Sequence, residues 1–236
     1  MQYYIPNSLF TQPNRNKKTA KSEKYNTETF GLALAPADVS GFQVCPHSSE
    51  GCRKSCLFTT GNGNYPSVVK GRINKTLFFI NDRKLFMNKL ENELIKAVAK
   101  TQLLGKKLAV RINVLSDLEY FWKSGFMEKF PKVQFYDYTK NYKRMIKFLN
   151  GELPKNYHLT FSLSEDNMLE ALDILNRGGN VAVVFRGDMP KEWQGFPVIT
   201  GDDHDMRYQD PKKHWIFLTA KGKAKADKTG FVKDFH

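Results

Sequence analysis

The sequence predicts an α/β fold, a partial TIM-like βα barrel of about six or seven mainly parallel strands with an N-terminal extension. Three observations predict it. Apolar, β-rich runs alternate with amphipathic helical runs from residue 107 to residue 220, the pattern of βα units in parallel pairing. The strand-like runs are also two-faced: in 157–164, Leu159, Phe161 and Leu163 oppose His158, Thr160, Ser162 and Ser164. A central strand of a doubly wound sheet is apolar on both faces, whereas a barrel strand meets helices outside and can enclose a polar ligand inside. Finally, Cys45, Cys52 and Cys56 fall in one short stretch directly after the first strand-like segment, where a barrel has its first rim loop.

Each element follows from the same patterning. LALA (32–35) precedes the cysteine loop, and a long helical stretch follows over 68–104 with a break at Asn81–Asp82. KLAVRINV (107–114) reads as a strand with Leu108, Val110, Ile112 and Val114 opposing Ala109, Arg111 and Asn113. A helix over 118–129 comes next, with Ser116–Asp117 as its N-cap pair. VQFYDYT (133–139), a short helix over 142–149, the strand 157–163, and a helix over 167–177 ending at Gly178–Gly179 continue the series. Strands over 180–185, 197–200 and 214–220 complete it. The organisation expected is a single domain over 1–236, with 1–29 as a basic N-terminal extension and 221–236 as a basic tail.

Lysine and arginine outnumber aspartate and glutamate 37 to 24, a net charge of +13. That excess favours anionic partners, either nucleic acid or an anionic small molecule. It gathers at 14–24, around Lys140, Lys143, Arg144 and Lys147, and at 221–228; the plainer reading of each cluster is solvated surface charge. No run reaches the roughly 18 apolar residues of a membrane span, and the start lacks the layout of a signal peptide. A cytoplasmic protein without membrane contact is expected.

The cysteine spacing is C-x6-C-x3-C, and the chain has no other cysteine. An odd count in a reducing compartment argues against disulfides, and the clustering points to metal. Structural zinc wants four ligands, and His47 is the nearby fourth. Three thiolates on a [4Fe–4S] cluster would leave one iron open to a substrate or cofactor. Placement above a polar lumen favours the cluster, with zinc as the alternative. This is the layout of radical S-adenosylmethionine enzymes, which makes S-adenosylmethionine the implied second cofactor. Their usual signature is C-x3-C-x2-C, and where they carry Gly-Gly-Glu this chain has LSDLE (115–119).

Further candidates for the cofactor site stand at predicted strand ends. They are Ser116, Asp117 and Glu119 after the second main strand, Asp137 on the next, and Ser162 and Ser164 on the one after. Ser164 or Asp166 would serve equally as a helix cap. Arg111 and Asn113 lie on the presumed inner face, and a buried guanidinium needs a carboxylate or an anionic ligand opposite it; a structural pair with Asp137 or Asp117 is the plainer outcome. GDDHD (201–205) could hold a divalent cation, but a turn in which Asp202 and Asp205 anchor Arg207 and Lys221 is the preferred reading.

GLALAPADVSGFQVCPHSSEGCRKSCL, RINVLSDLEY, FPKVQFYDYTKN, YHLTFSLSE and GDDHDMRYQDP before AKGKAKAD resemble the phage and plasmid family named after mycobacteriophage gene product eighty-eight. The resemblance implies a phage or mobile-element origin, and so a host-cell cytoplasm. A related phage group carries C-x6-C-x2-C in a barrel similar to the radical S-adenosylmethionine enzymes, which by analogy supports the cluster. Two functions follow. The first is an iron–sulfur barrel protein, with a radical S-adenosylmethionine-like enzyme as its active form. The second is a basic nucleic-acid-binding protein of replication or host takeover, with a structural zinc or cluster.

Overall fold

The computed structural model describes residues 2–15 and 17–235, so Asn16 of the basic cluster 14–24 lies outside the described residues. In chain order the elements are β1 (Phe10–Thr11), α1 (Lys17–Ala20), β2 (Thr27–Leu32), α2 (Glu50–Lys54), α3 (Pro66–Asn81), α4 (Arg83–Leu103), β3 (Lys107–Arg111) and α5 (Tyr120–Lys123). There follow β4 (Gln134–Thr139), α6 (Tyr142–Leu149), β5 (Tyr157–Ser162), α7 (Met168–Asn176), β6 (Val181–Gly187), β7 (Glu192–Trp193), β8 (Phe196–Thr200), β9 (Trp215–Thr219) and β10 (Val232–Phe235). The long helical stretch does break where expected: Asp82 leaves the helical conformation and its carboxylate accepts from Leu85 N–H at 3.1 Å, capping α4.

The ten strands form one mixed, mostly parallel sheet in the order β1-β2-β3-β4-β5-β6-β9-β8-β7, with β10 beside the second half of β6. The hydrogen-bonded path is that of an open sheet. Its ends are the antiparallel strands β1 and β7, each of two residues, and short edge strands resist further pairing. Where a barrel would close, the segment 201–210 crosses the polar face instead. Its Asp205 accepts from Arg111 at 3.0 Å and from the Tyr136 hydroxyl at 3.0 Å. Lys21 reaches the Asp202 carbonyl at 2.5 Å, and His204 lies edge-on to Tyr25.

The apolar faces read from the sequence pack as expected. Leu108, Val110, Ile112, Leu159, Phe161 and Leu163 are buried in one core with Met145 of α6 and Ile174 of α7. Phe78, Phe79, Phe86 and Phe121 join it as an aromatic cluster with ring centroids 5.2–5.5 Å apart, spacing that suits edge-on and tilted pairs. On the opposite face Arg111, Tyr136 and His158 lie in one row across β3, β4 and β5.

Several expectations change. The helix over 118–129 shrinks to Tyr120–Lys123. Asn113 Oδ1 accepts both the Ser116 hydroxyl (2.8 Å) and Leu118 N–H (3.1 Å), so Ser116 closes a turn and caps no helix. Ser164 and Asp166 bond to one another at 2.6 Å and leave α7 without a side-chain cap. Residues 221–236, read as a tail, fold back through the 3₁₀ turn Gly222–Ala226 into β10, burying Ala224, Phe231 and Val232. The N-terminal extension is likewise anchored, since Glu93 accepts from Leu9 and Phe10 N–H and both side chains are buried.

The buried polar groups give a pH test. Asp137 is wholly buried and its carboxyl is pushed up to about 6, burial outweighing the donated bonds from Asn113 and Tyr157. His158 is pushed down to about 4 by burial and by Arg207 nearby. Between about pH 4 and 6 the folded state therefore takes up a proton at Asp137, while the unfolded chain takes up one at histidine. The two contributions, each about 3 kcal/mol, oppose one another. Denaturant melts should thus show little pH dependence from this pair. His158→Gln should become more stable as pH falls through that window, and a flat profile in the variant would reject the assignment.

Candidate functional site

The three cysteines are carried by the loop after β2 and by α2, and the fold holds both tightly. Cys45 Sγ accepts from Ala37 N–H at 3.3 Å and donates to the Leu115 carbonyl at 3.2 Å. The Ala37 N–H is aimed there by a left-handed backbone conformation (φ +48°), closed by Val44 N–H on the Ala37 carbonyl at 3.0 Å. A non-glycine residue adopts that region only where its surroundings hold it. Ser49 caps α2 by accepting from Cys52 N–H at 3.2 Å. Cys56 follows the last turn, and Phe58 N–H donates to its sulfur.

Two carboxylates clamp this helix. Glu165, from the loop after β5, accepts from Gly51 N–H and from the Ser49 hydroxyl, both at 2.7 Å, a favourable place for negative charge at a helix N-terminus. Asp227 accepts from Ser55, Thr229 and Val232 N–H at 3.3, 2.7 and 3.1 Å, tying the other end of α2 to the C-terminal segment. Between the clamps only glycine fits. A Cβ on Gly51 would stand 2.2 Å from Thr229 Oγ1 and 2.6 Å from Phe231 Cβ. Gly51→Ala should cost about 3 kcal/mol, the upper part of the overpacking range, read as a lowered denaturant midpoint; unchanged stability would show that α2 does not pack against 229–231.

All three cysteines line one cavity of about 260 Å³, open to solvent, at the C-terminal ends of the strands, where α/β sheets bind ligands. None is in a disulfide. Burial pushes the Cys45 thiol up to about 12; the Ala37 N–H offsets part of this, and Cys56, Asp117 and Cys52 add to it. Burial also raises Cys56, with Cys52 adding to it and Lys140 and Arg72 counteracting. Burial thus favours the protonated form of the Cys45 and Cys56 thiols. Among the described residues no three His, Cys, Asp or Glu side chains gather about a single point as ligands of one metal ion do. His47 is exposed and does not line the cavity.

Of the other candidates, Arg111, Asn113, Ser116, Asp117 and Ser162 reach the cavity, while Glu119, Asp137 and Ser164 do not. Most of their polar atoms are already engaged. Asn113 and Tyr157 donate to buried Asp137 at 3.0 and 2.9 Å. Arg144 pairs with Asp117 at 3.0 Å and donates to Tyr157 at 3.1 Å. Arg144 is 1% exposed, so it leaves the solvated basic cluster in which its sequence neighbours placed it. Glu119 pairs with Lys123 and accepts from Asn141.

Arg111 meets Asp205, and its guanidinium lies 4.6 Å from the Tyr138 ring centroid. The expected anchors thus rearrange: Asp202 does hold Lys221 at 2.7 Å, but Asp205 holds Arg111, and Arg207 lies 3.2 Å from Asp210. Arg186 pairs with Asp234 of β10. Sequence reasoning missed Lys140, Lys221 and Phe231 as cavity residues and Asp227 as a clamp. Only strand pairing brings them to the cysteines.

These features define a mixed α/β protein whose cysteine-lined cavity sits over the C-terminal ends of a mostly parallel sheet. The chain belongs to the Gene product 88 family, whose model matches residues 8–234. No curated protein and no solved structure matches it. Among the described residues no helix is long and apolar enough to cross a membrane.

Proposed function

We propose that Cys45, Cys52 and Cys56 hold a [4Fe–4S] cluster at the mouth of this cavity, and that the protein is an iron–sulfur enzyme of radical S-adenosylmethionine-like layout. In this reading the sheet, with 201–210 laid across its polar face, serves as a partial barrel around the reaction space. One observation carries the proposal: three thiols, none in a disulfide, face a single cavity. The donor set fits. Each thiolate would take a different iron, so the sulfurs have no need to converge on one point as zinc ligands must. N–H donors from Ala37 and Phe58 already point at two of the sulfurs, as hydrogen bonds to cluster sulfurs commonly do to tune potential.

When bound, such a cluster supplies one-electron transfer and an open coordination position, for which S-adenosylmethionine is the proposed occupant. The chain's own residues do the positioning. Glu165 and Asp227 hold α2, Ala37 orients Cys45, and the neutral pairs Arg111–Asp205 and Arg144–Asp117 stiffen the floor. Protein purified without oxygen should contain iron and sulfide in equal amounts and absorb broadly near about 400 nm. A colourless, zinc-loaded protein would reject the cluster.

A second reading, a nucleic-acid-binding protein, is favoured by Lys223, Lys225 and Lys228, which are exposed beside the cavity with no carboxylate partner among the described residues. Under it, DNA binding weakens steeply with salt while the protein shows no response to S-adenosylmethionine.

A further inference from the structure

Three cationic side chains line the cavity, and their charges are not equally compensated. Arg111 is paired with Asp205 and Lys221 with Asp202. The lining carboxylates are Asp202 and Asp117, and Asp117 is held by Arg144. Lys140 is the remainder. Its ammonium donates to Ser162 Oγ at 3.1 Å and lies 5.4 Å from the Phe231 ring centroid, with no carboxylate in ion-pair distance among the described residues.

Its place is fixed from the backbone. Lys140 follows directly on β4, and its own N–H is bonded to Asp117 Oδ2 at 3.0 Å. The side chain is thus committed to the cavity rather than to solvent. Beside it the wall is apolar, made by Val184, Leu218, Phe231 and Val114. A single uncompensated cation against an apolar wall, in a small cavity open on one side, complements one kind of ligand.

We infer that Lys140 and Ser162 form an anion anchor, and that the cavity binds a small organic anion whose carboxylate or phosphate group is held there while its flat apolar body lies on Val184, Leu218 and Phe231. The anchor rests on the same cavity as the proposed cluster but not on the cluster itself. A lysine ammonium is a compact charge suited to either anion, and a hydroxyl beside it supplies a further donor.

The test is binding to the full chain as purified without oxygen, with iron content measured on the same sample. The probes share one body: adenosine, adenosine 5′-monophosphate and adenosine 5′-carboxylate. The expected result is that at least one anion binds about ten- to a hundred-fold more tightly than adenosine, the tighter of the two identifying the anionic group. Lys140→Met should abolish that preference without lowering the melting temperature, and Lys140→Arg should retain part of it. Equal affinity for adenosine and both anions, no binding by any probe at millimolar concentration, or a preference that survives Lys140→Met would each overturn the inference. A variant that only shifts the reduction potential, with anion affinity intact, would overturn it too, because the lysine would then balance cluster charge. A colourless protein that still prefers the anion keeps this inference and rejects the cluster.

Discussion

Cys52→Ala should lose essentially all of its iron and its absorption near about 400 nm, and Cys45→Ala and Cys56→Ala should do the same. The reason is arithmetic of donors. The chain has three cysteines, all on one cavity, so removal of any one leaves two thiolates for a cluster that normally takes four. The loss should not come from unfolding. Cys52 sits partly exposed on α2, which is held by Ser49, Glu165 and Asp227 through groups other than its sulfur. Circular dichroism of the metal-free variant should match that of metal-free wild type. Retention of full iron by the Cys52 variant would contradict the ligand set.

Arg111→Ala should destabilise the protein by about 3–5 kcal/mol, the usual consequence of removing one partner of a buried ion pair. Asp205 is 1% exposed and receives Arg111 and the Tyr136 hydroxyl, both at 3.0 Å. Burial works against the charge on Arg111, and Asp205 together with Tyr138, Tyr136 and Asp137 more than offsets that. Without the guanidinium, the buried Asp205 carboxylate keeps the Tyr136 and Tyr138 hydroxyls as donors but loses its ion pair at 3.0 Å. The segment 201–210 would lose its main attachment across the polar face of the sheet. Denaturant unfolding measures the effect; a cost under about 1 kcal/mol, typical of a surface pair, would show that the pair is not structural.

The same pair shows how far the sequence could be read. The two-faced strands 107–114 and 157–163 were legible because side chains alternate in a strand, and the apolar faces do pack under α6 and α7. The need for a partner to Arg111 was legible too, from the cost of burying its charge. Which carboxylate answers it was not. Asp137 and Asp117 were nearer in sequence, but Asp137 turns to Asn113 and Tyr157, and Asp117 to Arg144. That choice depends on 201–210 crossing the sheet, a contact 94 residues away in the chain. For the same reason the polar faces suggested a wet barrel, where the structure lays its own acidic turn across them.

Local chemistry misled at two other places. The first of the parallel strands is TETFGL, not LALA, because Glu28 can enter a strand when Lys100 and Lys106 pair with it. The basic run 221–228 read as solvated charge, yet its Ala224 and Asp227 are buried against α2 while its lysines stay outside. The cysteine cluster itself was plain from spacing alone. The clamp that holds it, made of Glu165, Asp227 and Gly51, was not.

The most direct test is a Mössbauer spectrum of anaerobically reconstituted protein, recorded with and without S-adenosylmethionine. With three thiolates the cluster should show one iron site distinct from the other three, and only that site should change when S-adenosylmethionine is added. Four equivalent irons, or a spectrum indifferent to S-adenosylmethionine, would contradict the account.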